Sequence, residues 1–589
     1  MKTLATWLCA AIALALPAGP PSLAADLATS KHNLSTTGPG PIRATAESET
    51  CIFCHTPHNA RPAAPLWNHA GSTTSYSTYG SSTMRAATPV GQPSGSSKLC
   101  LSCHDGTVAL GQTVNDGLIS LSNTAAGGKM PAGTSNLGVD LTDDHPISFQ
   151  PSVADPEMVA PPAGDAVAYD ETGSVQCTAC HDPHTEDRDT VTRKFLVKSN
   201  QASAVCVTCH RPASWSTNPS AHQSSTKTYT AAQGAHTGYT TVRDNGCESC
   251  HRPHSGNVPQ RLLKFVEEAT CDRCHNGSVA ARNIAAEFNK AYVHPTYATT
   301  PSSHDAAETP ASATRPLPET NPSAPRHAEC ADCHNAHASY SRAASAPAVS
   351  GALSGTWGLS SGGVRVSPAS YEYQICFKCH ADSANKPQPS GLPTPPYTRR
   401  QLVQFNARLE FDPTNPSHHA VEAAGRNADV PSLLAPYTTA SVIYCTSCHD
   451  NDTGPGAGGT GPRGPHGSQY PHLLERNLNV GANNSGTNFA QMYALCFKCH
   501  SQSSIMGNAS FPRHNMHIDG ENTSCSVCHD PHGISATQGN STNNSNLINF
   551  DVAVVTPSSS GILRFEDRGT RHGACYLTCH GANHNPETY

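Results

Sequence analysis

The feature that most constrains this chain is the short unit Cys51-Ile52-Phe53-Cys54-His55, in which a histidine directly follows the second of two nearby cysteines. Units of this kind open at Cys51, Cys100, Cys177, Cys206, Cys247, Cys271, Cys330, Cys376, Cys445, Cys496, Cys525 and Cys575. We take all twelve as one regular series. Their second cysteines are Cys54, Cys103, Cys180, Cys209, Cys250, Cys274, Cys333, Cys379, Cys448, Cys499, Cys528 and Cys579, so only Cys9 stands outside. Two thiols one helical turn apart reach the two vinyl groups of one haem, and the adjacent histidine turns beneath the ring to bind iron. This is the c-type haem attachment signal. The proximal histidines are then His55, His104, His181, His210, His251, His275, His334, His380, His449, His500, His529 and His580. Zinc would need paired Cys-x-x-Cys units or separate His pairs. Neither zinc nor a disulfide framework explains a histidine after every second cysteine. The implied cofactor is twelve covalently bound c-type haems with their iron.

Composition supports a cofactor-built interior. Only 37% of 589 residues are hydrophobic and 14% charged, with 45 Gly and 47 Pro. Without cofactors such a chain reads as poorly packed or disordered. Large apolar discs tied to the chain at three points act as core, as disulfides and metals do in small domains. The expected fold class is a multihaem cytochrome c with little regular secondary structure: short helices at the attachment units and loops wrapped round a chain of stacked haems. The clearest helix-like pattern is 283–292, with Ile284, Phe288 and Tyr292 on one face. The formal charge of −7 falls to about −20 with twelve oxidised haems and about −32 when reduced, once a leader bearing Lys2 is removed. That balance excludes nucleic acid as a partner. It favours cationic partners, mineral surfaces or metal-cation acceptors. Residues 1–24 read as a signal peptide: Lys2, an apolar run and a small-residue cleavage site at Ser22-Leu23-Ala24. No later run approaches a membrane span. Export to the periplasm, outer cell surface or exterior is expected.

The units alternate. Those at Cys51, Cys177, Cys247, Cys330 and Cys525 carry a second histidine three residues beyond the proximal one: His58, His184, His254, His337 and His532. All fall on odd-numbered units, which marks an internal repeat. The ninth unit lacks it, and His466, in Gly464-Pro465-His466-Gly467, is the natural substitute. We read six dihaem modules: 25–165, 166–235, 236–301, 302–400, 401–510 and 511–589. Pro-, Ser- and Ala-rich stretches at 302–326, 381–400 and 150–165 mark boundaries. Residues 538–560, rich in Ser and Asn, read as a surface loop.

Thirty-three histidines leave 21 beyond the proximal set. Six methionines beyond the leader show no paired pattern, so histidine is the expected distal ligand throughout. The candidates form two sets. His58, His184, His254, His337, His466 and His532 sit too close to one haem to reach its far face, so they cross to a neighbour, expected to be the partner in the pair. His32, His145, His236, His294, His418 and His517 lie upstream of the odd units. His327, His419, His472, His514, His572 and His584 are reserves, and one near a chain end could ligate a haem of an adjacent subunit.

Several stretches carry a family resemblance: Lys31-His32-Asn33-Leu34-Ser35, His55-Thr56-Pro57-His58-Asn59-Ala60 with Pro65-Leu66-Trp67-Asn68, and Asp144-His145-Pro146-Ile147. To these add His334-Asn335-Ala336-His337, Gly464-Pro465-His466 and Cys579-His580-Gly581-Ala582-Asn583-His584. On these the chain resembles the multihaem c-type cytochromes of metal-reducing bacteria. The resemblance implies a dodecahaem, bis-histidine electron-transfer protein. Its partners would be other cytochromes or redox proteins, or Fe(III) and other metal acceptors. Some relatives polymerise into haem filaments. A multihaem reductase for nitrite, hydroxylamine or a sulfur oxyanion is the alternative. It needs one open iron, commonly marked by an altered unit, and a regular series with surplus histidines speaks against it. No catalytic residue is expected.

Overall fold

An attachment unit needs only one turn of chain, because residues three apart share a helical face. The rest of the backbone is free to bend around whatever the cysteines hold. The computed structural model describes residues 23–61, 66–81, 84, 86–152, 154–212, 215, 219–258, 261–297, 328–381, 399–480 and 488–589. The expected leader through residue 22, the boundary segment 302–326, 382–398 of the next boundary and the reserve His327 lie outside them.

Regular structure is sparse, as the composition predicts. The three longest helices among the described residues are α1 (Gly95–His104), α2 (Glu267–His275) and α3 (Glu372–His380), and each ends on its own proximal histidine. α2 opens with Glu267 and Glu268 and closes with Arg273 and His275, charges that complement the helix dipole. α3 buries Tyr373 and Phe377, four apart on one face, with Ala381 beyond its end. They meet Leu359, Phe411 and Val421 in a small cluster. Burial of Phe377 contributes about 2 kcal/mol. Single α-turns at Cys177–Cys180, Cys330–Cys333 and Cys525–Cys528 carry three further units. Tighter 3-10 turns span Cys206–Thr208, Gly246–Ser249, Cys445–Ser447 and Cys496–Lys498. The largest sheet is the C-terminal antiparallel set β1 (Arg564–Asp567), β2 (Gly573–Cys579) and β3 (Ala582–Thr588). Elsewhere among the described residues the strands are two residues long, supplemented by isolated bridges. Apolar burial is scattered over seven clusters of three to six buried residues, so the described residues build no single core of their own.

Two local expectations are corrected. Residues 283–292 form no α-helix. A 3-10 turn at Glu287–Asn289 leads into a strand at Tyr292–Val293 that pairs with Gly467–Ser468. Phe288 is drawn onto Tyr297 (5.1 Å) and His466 (5.9 Å), and Lys290 is tied to Glu287 and Asp452. These tertiary contacts override a weak periodicity. Nor is 538–560 simply a surface loop: Phe550 and Val555 are fully buried beside Phe565 and Leu577. Asn549 makes this possible by bonding the Leu402 backbone and Asp530, which satisfies polar groups that no sheet serves. Residues 150–165 lie along the fourth unit, where Val159 N–H donates to the Cys209 carbonyl (2.9 Å) and Met158 pairs with His210.

Candidate haem-attachment sites

One device recurs behind the odd-numbered proximal histidines. His181 Nδ1–H donates to the Lys194 carbonyl (2.8 Å), His251 to Arg261 (2.8 Å), His449 to His472 (2.8 Å) and His529 to Asn546 (2.9 Å). In each case the next residue is apolar and held at positive φ: Phe195 (57°), Leu262 (52°), Leu473 (54°) and Leu547 (61°). The residue after that, Leu196, Leu263, Leu474 or Ile548, pairs with the histidine backbone. At His55 the positive φ (Leu66, 56°) and the backbone pairing (Trp67) recur. Left-handed backbone costs a bulky residue about 1 kcal/mol or more, and such strain collects where geometry is functional. Here it aims a carbonyl at Nδ1, which fixes the tautomer and leaves Nε2 as the metal-binding nitrogen.

Histidines from distant segments face these rings at one recurring separation. Ring centres lie 6.2 Å apart for His55 and His184, 6.2 Å for His181 and His254, 6.1 Å for His251 and His337, 6.0 Å for His334 and His466, and 6.1 Å for His449 and His532. The even units show the same spacing: His104 with His32 (6.1 Å), His210 with His145 (6.1 Å), His275 with His222 (6.1 Å) and His380 with His294 (6.4 Å). Two metal–imidazole bonds of about 2 Å, plus about 1 Å from each nitrogen to its ring centre, give about 6 Å. Each pair is therefore spaced for one metal ion bound on opposite faces, and the donor set fits haem iron. Burial holds most of these imidazoles neutral, the form that binds metal. His145, His181, His275, His337 and His449 are pushed down to about 4, by desolvation first. At His532 burial also disfavours the cation, but the Glu410 carboxylate 3.3 Å away wins and lifts it to about 9.

The crossing pattern differs from the expected one. The histidine three beyond an odd unit faces the odd unit of the preceding pair, not its own partner: His184 meets His55, and His254 meets His181. The two facing ligands above each pair of units are joined. His32 Nδ1–H donates to the Pro183 carbonyl (2.9 Å), immediately before His184. His222 donates to Ala336 (3.0 Å), before His337, and His294 to Pro465 (2.6 Å), before His466. His419 does so to Pro531, before His532, and the His145 backbone N–H donates to Pro253 (2.8 Å), before His254. Five pairs of units thus carry a lid made of one upstream histidine and one Pro/Ala-His step from the next pair.

Three candidate histidines take other places. His236 sits against Glu248 (3.3 Å), and His222, which the sequence reading passed over, faces His275 instead. Spacing held a signal: His32, His145, His222, His294 and His419 lie 19 to 36 residues before an odd unit, whereas His236 lies 11 before. His418 bonds the His419 carbonyl through Nδ1. The neighbouring His419 is the ring whose charge, after burial, holds His500 down to about 4. His58 is exposed and faces no proximal histidine among the described residues. His69 is closed to metal because both ring nitrogens contact carbonyls, of Ala70 (2.8 Å) and Ala109 (3.1 Å). In the last pair, His514 faces His529 at 6.4 Å and His517 faces His580 at 5.6 Å, with His584 also 5.5 Å from His580.

The last unit corrects the assumption of a regular series. Tyr576, Leu577 and Thr578 put three residues, not two, between Cys575 and Cys579. The unit lies on strand β2, not on a helical turn. Four strand steps span about 13 Å, against about 5 Å for three residues of helix. The strand pairing shifts register at Cys575/Leu577. Both sulfurs still pack near Cys528.

The sulfurs order the units in space. Cys100 and Cys177, Cys206 and Cys247, Cys271 and Cys330, and Cys376 and Cys445 lie close enough for their thiols to interact. Second cysteines of odd units lie near those of the following even units: Cys103 near Cys54, Cys180 near Cys209, Cys250 near Cys274, Cys448 near Cys499 and Cys528 near Cys579. Cys333 near Cys376 and Cys496 near Cys525 complete the file. Neighbours in sequence are neighbours in space throughout. Two acid-containing clusters, Glu267/Cys271/Cys330 and Glu410/Asp530/His532, belong to these sites rather than to a separate metal centre.

Three stretches match the family described as Doubled CXXCH motif: 171–214, 240–280 and 435–504. They hold six of the units. No curated protein matches the chain. Paired motifs of this kind indicate a multihaem c-type cytochrome. No helix of the cytochrome among its described residues is long and apolar enough to cross a membrane.

Carboxylates stand behind several facing histidines. Asp144 lies 3.0 Å from His254 Nδ1 and accepts from Ser255 N–H (3.2 Å). A carboxylate there raises ligand basicity and favours the ferric state. Asp144→Asn is expected to leave haem content unchanged and to raise the reduction potential of one haem. Spectroelectrochemical titration would read this, and an unaltered curve would mean that Asp144 only holds the Ser255 turn.

Proposed function

We propose that the cytochrome is a twelve-haem electron conduit. It would be exported through cleavage near residue 24 and work at the outer surface or in the extracellular space, passing electrons to metals or partner cytochromes. Bound haem supplies a reversible one-electron change at iron. What this chain's residues contribute is placement. Cysteine pairs would tether each haem, the carbonyl-anchored proximal histidines would bind its iron, and the lid histidines would bind it from a second segment and keep exogenous ligands away. The observation that carries the reading is the unbroken file of attachment sulfurs in sequence order, from Cys54 beside Cys103 to Cys528 beside Cys579. A relay needs such a file, whereas a reductase needs only a few sites. Paired imidazoles also favour low potentials over those of His/Met ligation.

The reductase alternative is favoured by one observation, the irregular unit at Cys575–His580. Haem-to-protein ratio and carbon monoxide titration of the reduced holoprotein separate the two. The conduit predicts a ratio near twelve and no CO-induced optical shift. A shift from about one haem in twelve, lost in His580→Ala, would transfer the assignment to ligand-binding chemistry at the last unit.

A further inference from the structure

The facing rings adopt two orientations that follow the parity of the unit. At odd units the proximal and facing imidazole planes run from near parallel to tilted: 14° for His55 and His184, 35° for His181 and His254, 23° for His251 and His337, 12° for His334 and His466, 49° for His449 and His532, and 45° for His529 and His514. At even units they cross: 65° for His104 and His32, 80° for His210 and His145, 69° for His275 and His222, 68° for His380 and His294, and 75° for His580 and His517. The two ranges do not overlap. The angles are held, because a ring bonded through Nδ1 cannot turn about its Cβ–Cγ bond without losing that partner. At the second unit both rings are fixed in this way, His104 by the Ser135 carbonyl (2.7 Å) and His32 by that of Pro183 (2.9 Å).

A second difference follows the same parity. Carboxylates stand behind the facing rings of three odd units: Asp182 lies 3.4 Å from His184 Nδ1, Asp144 3.0 Å from His254 Nδ1 and Glu410 3.3 Å from His532 Nδ1. Facing rings of even units bond neutral carbonyls instead: His145 that of Pro146 (3.0 Å), His222 that of Ala336 (3.0 Å) and His294 that of Pro465 (2.6 Å). Both differences act on bound iron in one direction. Low-spin ferric iron lacks one electron in a pair of orbitals that accept imidazole π density. Parallel rings donate into the same orbital and stabilise the ferric state. Crossed rings divide their donation between the two orbitals and stabilise it less. A carboxylate partner makes the imidazole a stronger donor, which again favours ferric iron.

We propose that the even-numbered units form an electron store: their haems have the higher potentials, fill first and hold about half of the electrons the protein can carry, while the odd-numbered haems between them stay oxidised as crossing points. The inference rests on the conduit reading above. Filling takes one electron per even iron, Fe(III) to Fe(II), from partner redox proteins. Emptying passes those electrons to the acceptor, and no bond forms or breaks. Because parity alternates along the file, stored electrons occupy alternate sites, where they repel one another less than on adjacent ones. Unit twelve should fill last of its class, because Glu521 lies 3.5 Å from Nδ1 of its proximal His580.

The test is a redox titration of fully loaded holoprotein followed by low-temperature electron paramagnetic resonance. Near-parallel rings give a rhombic ferric signal and crossed rings a strongly anisotropic one. The oxidised protein is expected to show both families in about equal amounts, and the anisotropic family should be lost first, as about half of the electrons enter. H32A should remove about one sixth of the anisotropic family and H254A about one sixth of the rhombic family, each adding a high-spin haem. Parallel loss of both families, or earlier loss of the rhombic one, would overturn the proposal, and this wild-type result decides even if neither variant loads its haems. A single signal family at full loading would also overturn it and leave the conduit reading intact. A haem ratio well short of twelve would fault the conduit reading and the store with it.

Discussion

Produced without haem attachment, the chain is expected to remain unfolded: far-UV circular dichroism near that of a coil, an expanded hydrodynamic radius and no protected amides. Fixing a residue's backbone costs about 1–2 kcal/mol, and apolar burial must offset that sum. Here burial is divided among seven clusters of at most six buried residues. The longest helices among the described residues have nine or ten residues, below the length at which isolated helices persist. Facing histidines near 6 Å gain nothing from each other without a metal between them, since withdrawing imidazoles from water is itself a cost. Attached haem is therefore expected to supply most of the stability, as structural zinc does in small domains. A cooperative thermal transition or slow amide exchange in the apoprotein would show that the polypeptide carries its own core.

Removing one lid histidine is expected to open one iron. His184→Ala should keep all attachment cysteines and the proximal His55, yet give the reduced protein a CO-binding haem and the oxidised protein a high-spin fraction of about one haem in twelve. His184→Met should restore six-coordination and raise that haem's potential, because thioether favours the reduced state. The effect should reach the neighbouring unit as well. The Pro183 carbonyl that anchors His32 precedes His184 directly, so displacement of this step also loosens the ligand facing His104. His236→Ala is the control: its ring sits on Glu248, and no CO binding is expected. Equal CO reactivity in both variants would mean that ring spacing near 6 Å does not identify the ligands.

The low content of regular structure was legible in sequence because it follows from composition and from units that need one helical turn each. The attachment residues were legible for the same reason. Cys51, Cys54 and His55 lie within five positions, so their spacing alone defines the chemistry. The exception is informative. At Cys575–His580 one inserted residue and a strand replace the turn, and the regular series misstated that site.

The carbonyl anchors were hidden. The paired residue follows its histidine by 12 positions at Trp67 and by 25 at Leu474, so no fixed motif marks it, and positive φ at a leucine or phenylalanine leaves no compositional trace. The lids were hidden more deeply. His294 and Pro465 meet across 171 residues, and between His222 and His236 the sequence offers only the distance to the next unit, not the segment each ring meets. Sequence alone marks the candidate attachment units, because tethering is short-range covalent chemistry. Only the tertiary structure decided which imidazole faces which, because that pairing is made by loops closing over many tens of residues, whose paths depend on every contact between.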